Sequence, residues 1–176
     1  MPTLQVNEFQ FTFAPTVAAE PYDTWQHYKD VWNKVGGQKG MDVVAIENPA
    51  APTTTWLIEA KDFRIITQPP RPSNIAGLPK TVADKVRDTV TGLADAALNA
   101  ADAVEKNHAT NALAAPAKRV VLHLEPHVGP HSALFPAGFS ASVLQQLKQL
   151  VKAIDANPLV LNIANTPAAG VPWAVA

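Results

Sequence analysis

The sequence predicts an α/β domain, a central mixed β-sheet flanked by helices, on three observations. Residues 41–46 form a short apolar run consistent with a buried strand, and 120–124 and 158–163 also read as strands. Two segments, 80–106 and 141–155, carry apolar residues at helical spacing with a wetter opposite side. The second of these lies between two of the strands, so 120–124 and 158–163 are expected to run parallel, joined by a helical crossover. A length of 176 residues suits a single domain.

Taken in order, residues 4–13 alternate with Phe9, Phe11 and Phe13 at period two and read as a first strand, closed by Pro15. From Val17 to Val35 the pattern changes to helical spacing. Trp25, Tyr28, Trp32 and Val35 share a face, Glu20-Pro21-Tyr22-Asp23 supplies an acidic first turn with a proline, and Gly36-Gly37 ends the helix. Met41 to Ile46 is a short buried strand, and Asn48-Pro49 turns the chain into a longer strand, Thr53 to Ile66, rich in β-branched and aromatic residues. These two strands are expected to form a hairpin. Gln68-Pro69-Pro70-Arg71-Pro72-Ser73-Asn74 cannot continue a sheet, because proline removes ladder donors, and reads as a surface loop; a polyproline ligand for a partner is the alternative. In helix 80–106 the stripe is Val82, Val86, Leu93, Ala97 and Val104, with Asp84, Lys85, Arg87, Asp88, Asp95 and Asp102 on the wetter side. Residues 126–138 form a Pro/Gly loop, and Thr166 to Ala176 is a tail without periodicity.

Composition removes several classes of function. Hydrophobic residues make up 47% and charged residues 16%, so a packed core is expected and wholesale disorder is not. Lys plus Arg (14) nearly cancels Asp plus Glu (15), which excludes a globally basic nucleic-acid coat. With no cysteine, disulfides, thiolate zinc sites and cysteine nucleophiles are excluded. The first residues lack a signal-peptide pattern and no stretch is long enough to span a bilayer, so no membrane association is expected and the expected location is cytoplasmic. Glycine-rich phosphate loops, G-x-S-x-G elbows and dinucleotide fingerprints are absent.

The chemistry centres on Asp42 and Glu59-Ala60-Lys61. On a strand, residues i and i+2 share a face, so Glu59 and Lys61 project together and Ala60 points away. If strand 41–46 pairs with 54–66, Asp42 sits beside Glu59. Adjacent carboxylates repel and lose hydration, and a divalent cation compensates both; oxygen ligands suit Mg²⁺ or Mn²⁺. A lysine next to that metal is placed for a phosphate oxygen or an attacking water, the equipment of phosphodiester hydrolysis. An exposed i, i+2 ion pair is the plain alternative for an isolated Glu-x-Lys. Against it, Glu59 and Lys61 interrupt an otherwise apolar strand, and burying charge without compensation is costly.

Through the helix with Glu20, the strand opening Met41-Asp42, the strand Trp56-Leu57-Ile58-Glu59-Ala60-Lys61 and the helix 80–106, the chain resembles the PD-(D/E)xK nuclease superfamily, the restriction-endonuclease-like fold. The resemblance covers roughly residues 17–125 and departs at Met41, where the family motif has proline. It implies a three-layer core in the order helix–strand–strand–strand–helix–strand. It also implies a Mg²⁺ (or Mn²⁺) ion held by Asp42 and Glu59, Lys61 close by, and a further catalytic acid on the first helix, for which Glu20 is the candidate. The implied activity is nuclease action on DNA or RNA, with a homodimer as the implied way to cut both strands. The alternative is a non-catalytic nuclease-like domain that binds a protein partner or nucleic acid.

Residues 61–87 hold six basic groups against two acidic ones, and Arg64, Arg71, Lys80 and Lys85 are candidates for holding a nucleic-acid backbone; an ordinarily solvated surface is the alternative. His123, His127 and His131 have a spacing of four that would align zinc ligands on a helix, but Pro126, Gly129 and Pro130 forbid one, so a strand end and loop with scattered histidines is expected. Trp25, Tyr28 and Trp32 could stack bases; their helical spacing favours core packing.

Overall fold

A computed structural model of the chain describes residues 1–64 and 70–176. The end of the strand expected to reach Ile66, and the start of the proline loop at Gln68, lie outside the described residues. The first expected strand is two: β1 (Thr3–Val6) and β2 (Phe9–Phe13) form an antiparallel hairpin. Asn7 makes the turn at φ 52°, a left-handed conformation that asparagine tolerates better than most residues.

The helix expected over 17–35 is corrected. Val17–Pro21 is a strand, β3, followed by a 3₁₀ turn at Tyr22–Thr24, a short helix, α1 (Gln26–Asp30), and a second 3₁₀ turn at Trp32–Lys34. Val17 and Ala19 point to one face and are buried, a period of two that the neighbouring alanine disguises. Trp25 and Trp32 share no helix. Trp25 packs edge-on against Tyr22 and His108, and Trp32 Nε1 donates to the Asp88 carbonyl (3.1 Å), so both serve packing.

The main sheet has the order β3-β4-β5-β6-β7, with β4 (Val43–Glu47), β5 (Thr54–Asp62), β6 (Ala117–Glu125) and β7 (Leu159–Leu161). β3, β4 and β5 are antiparallel neighbours; β5, β6 and β7 are parallel, so the sheet is mixed as expected. Part of the proline segment is helical rather than loop. Pro72 opens α2 (Pro72–Ala76), where its missing N–H is no loss, and α3 (Leu78–Asn99) follows. The expected single helix breaks after Asn99, because Asp102 caps a new helix, α4 (Ala103–Ala114), accepting from Val104 N (2.7 Å) and Glu105 N (3.2 Å). α5 (Phe139–Val151) makes the crossover between the parallel strands β6 and β7.

The central sheet is covered on both faces. On one, Val44, Ile46, Leu57, Val120 and Leu122 pack with residues of α3, α4 and α5. On the other, Val43, Ala45, Ile58, Ala60 and Val121 pack with the three phenylalanines of β2 and with Trp173. Trp173 belongs to β8 (Trp173–Val175), which pairs with β2 and completes a small sheet, β1-β2-β8; a three-residue strand is too short to show periodicity in the tail. Gly92 in α3 is required by close approach, since a Cβ there would overlap the Tyr22 hydroxyl and the Trp32 indole. Among the described residues, no helix is long and apolar enough to cross a membrane.

Candidate functional site

The site forms where β4 begins and β5 nears its end. The antiparallel register pairs Val43 with Ile58, and one step further sets Asp42 opposite Glu59, as the strand argument expects. Asp42 is fixed on both sides. Its Oδ2 accepts from Ala60 N (2.8 Å), and its carbonyl accepts from Tyr22 N (3.1 Å). Next to it, Met41 N donates to Thr89 Oγ1 (2.8 Å), which ties the strand to α3.

Glu59 is completely buried. Lys61, on the same strand face, reaches its Oε1 at 2.7 Å. Lys85 enters from α3: its Nζ lies 2.7 Å from both Glu59 oxygens and 3.4 Å from Asp42 Oδ1. Lys85 shares the buried side of α3 with Val82, Val86 and Thr89, whereas the sequence reading put it on the wet side. Burial pushes the Glu59 carboxyl up, and Asp42 adds to that, while Lys85 and Lys61 pull it back. Burial alone would depress the Lys85 ammonium; Glu59 and Asp42 outweigh it and hold it above its ordinary range. Two carboxylates thus face two ammonium groups, and the cation between Asp42 and Glu59 is a lysine.

Glu20 does not join this group. It sits on β3 opposite Val44, and lines a separate cavity with Asp102, Glu105 and His108. The acidic neighbour of Asp42 is Asp23, from the 3₁₀ turn, whose carboxyl is pushed up by burial and then by Asp42. Asp23, Asp42, Gln5 and Asn7 line a cleft of about 170 Å³ beneath the β1–β2 hairpin, and Asn7 Nδ2 donates to the Ala60 carbonyl (3.2 Å). Sequence reading missed Asp23 because the segment around it reads as a helix start.

The expected basic flank is mostly spoken for. Arg64 pairs with Asp62 (2.7 Å) and lies over the Phe9 ring (5.1 Å), Lys80 pairs with Asp84 (2.6 Å), and Lys85 is the internal partner of Glu59. Arg71 is exposed at the residue before α2. The three histidines occupy the end of β6 and the loop after it: His123 is buried against Phe9 and Phe11, His127 Nδ1 meets the Phe63 carbonyl (3.0 Å), and His131 lies beside His127.

Fold and site together define a mixed α/β domain with a buried, charge-balanced lysine–carboxylate cluster. No family model matches the chain, and no solved structure matches it. A curated relative is the cysteine–tRNA ligase of Neisseria meningitidis serogroup A / serotype 4A, 28% identical over 215 aligned positions that cover 99% of this chain. The chain spans 30% of that relative's length.

This likeness corrects the expected function. The relative bears the name of a tRNA ligase, which overturns the expectation of a nuclease cleaving phosphodiesters. The magnesium expectation is corrected with it. Among the described residues, no group of three or more Asp, Glu or His side chains is placed to hold a metal ion, and Lys61 and Lys85 already balance the carboxylates that a divalent cation was expected to balance.

Proposed function

We propose that this chain is a transfer-RNA-binding domain. The observation that carries the reading is the likeness of nearly the whole chain to one segment of a cysteine–tRNA ligase. The charge layout supports it: the formal net charge is only −1, so an RNA-binding surface has to be local, and Lys39, Lys61 and Arg71 lie around the entrance to α2 and α3. In this reading the Asp42–Glu59–Lys61–Lys85 cluster is a binding and positioning device. Glu59 holds Lys61, whose side chain keeps 31% of its exposure, in one place beside solvent. We also propose that the sheet-and-helix core is akin in architecture to the restriction-endonuclease-like fold, without its activity.

The test is fluorescence anisotropy with labelled deacylated tRNA between 50 and 200 mM KCl, conditions over which phosphate contacts weaken measurably with salt. Binding that falls with salt, and is at least tenfold tighter than for a DNA duplex of equal charge, is the expected result. The tRNA should be recovered at full length after incubation with Mg²⁺. Equal affinity for the DNA duplex, no binding at 50 mM KCl, or shortened tRNA would overturn the reading.

A further inference from the structure

A cavity of about 450 Å³ lies between the end of β5 and the α2–α3 corner. Its volume is within the range of small-ligand sites. Its lining sets it apart from two other cavities of the domain. One of those, about 340 Å³, is walled by Glu20, Asp102 and Glu105; a second, about 120 Å³, by Asp30, Asp102 and Glu105. Both would repel an anion. Among the described residues, those lining the β5–α2–α3 cavity include no carboxylate and two lysines, Lys39 and Lys61, together with Phe63 and the polar residues Ser73, Asn74 and Thr81.

That set of groups matches a ligand with a negatively charged end and a flat, polar-edged ring. We infer that this cavity binds a nucleotide, its phosphate against Lys39 and Lys61 and its base beside Phe63, with the hydroxyl and amide side chains meeting the sugar or base edge. Lys39 is exposed, so its ammonium can move onto a phosphate without leaving a buried partner behind. Lys61 is held by Glu59, 2.7 Å away, and presents its ammonium in a fixed position. Phe63 is itself anchored: its backbone N donates to the Glu125 carbonyl (2.8 Å) and its ring packs against Phe135 at 5.0 Å. A ring anchored in this way offers a stacking surface that needs little ordering on binding, and stacking is tolerant of base identity. The ligand's source rests on the RNA-binding reading above, in which it is a nucleotide of the bound strand; a free mononucleotide has the same chemistry.

The experiment is calorimetric titration of the whole chain with adenosine 5′-monophosphate and with inorganic phosphate, followed by competition with a short single-stranded RNA. Wild type should bind the nucleotide more tightly than phosphate. Lys39→Glu should weaken nucleotide binding at least tenfold. Phe63→Leu should weaken nucleotide binding while leaving phosphate binding within twofold. Because Phe63 touches Phe135 and its loss could loosen the fold, the exposed Lys39 variant carries the decision. RNA that displaces the nucleotide identifies a strand as the source; RNA that leaves it bound identifies a free mononucleotide, and either supports the site. Absence of nucleotide binding at millimolar concentration, or equal binding by wild type and Lys39→Glu, overturns it. Transfer RNA bound by a chain that ignores the mononucleotide removes the cavity and leaves the RNA reading intact; the reverse outcome removes the RNA reading and leaves the cavity.

Discussion

On the helix-covered face of the sheet, Glu59 is fully buried and touches two ammonium groups; on the opposite face His123 is as fully buried, and among the described residues neither ring nitrogen has a hydrogen-bond partner. The nearest carboxylate to His123, Glu125, is 3.7 Å away and already accepts from Ile163 N (2.6 Å). The protein handles the two groups by different physics. Glu59 keeps two ammonium partners, which offset part of the upward push that burial and Asp42 give its carboxyl. His123 sits edge-on to Phe9 and Phe11, and burial pushes its pKa down to about 4, with Arg64 adding to the effect. A buried charge with built partners marks a site; a buried neutral imidazole among aromatic rings is packing.

The largest expected effect tests the imidazole side of this contrast. His108, buried with its Nε2 against the Val44 carbonyl (3.0 Å), is also held at about 4 by burial. Both histidines are neutral in the folded protein and take protons readily once unfolded, near pH 6.5. Their contribution is therefore complete above about pH 6.5 and is lost as pH falls toward 4, together on the order of 5 kcal/mol. Urea unfolding at pH 7, 5.5 and 4.5 should show this decline. His123→Phe should fold with unchanged or higher stability at pH 7 and lose about half the acid sensitivity, because no hydrogen bond is removed with the ring nitrogens. A strongly destabilised His123→Phe would mean that the imidazole has a polar role.

The next effect tests the charged side. Lys85→Met leaves Glu59 and Asp42 buried with Lys61 as the remaining cation, and should lower the unfolding free energy by about 3 kcal/mol, seen as a lower urea midpoint. Adding Glu59→Leu should restore most of it, since the pair is then replaced by apolar packing. A single variant as stable as wild type would place the cluster in the same category as surface ion pairs. The smallest effect calibrates that category. Lys80→Ala breaks the exposed pair with Asp84, two residues of the same helix face, and should change stability by less than about 0.5 kcal/mol.

What the sequence revealed follows from how strongly each signal is determined. Asp42 beside Glu59 was legible because strand geometry has period two and the two strands could pair in few ways. The parallel β6–β7 pair was legible because a helix lies between them. The segment 17–35 was not, because alanines at 18 and 19 carry little facial contrast and Trp25, Tyr28 and Trp32 coincide with a helical period for reasons of tertiary packing. Lys85 was misread for a related reason: helix patterning assigns every lysine to water, and only a carboxylate on a distant strand gives it cause to turn inward. The helix break at Asp102 carried a capping signal that the long apolar stripe outweighed. Function was the least legible. A Glu-x-Lys triplet with an upstream Asp brings charges together, and whether they hold a metal or one another depends on Lys85, which the triplet does not contain.

The pairing of β2 with β8 has a kinetic consequence. Phe11 lies opposite Val175, and Gln10 exchanges backbone hydrogen bonds with Ala176 (2.9 and 3.1 Å), so one ladder joins the two ends of the sequence. Such a contact closes a long loop, and non-local contacts of that kind slow the approach to the native state. Until it forms, Phe13 and Trp56 lack the indole of Trp173 that packs against both, and β2 presents an open strand edge. With β8 detached, that open edge is the surface through which copies of this domain would pair strand to strand.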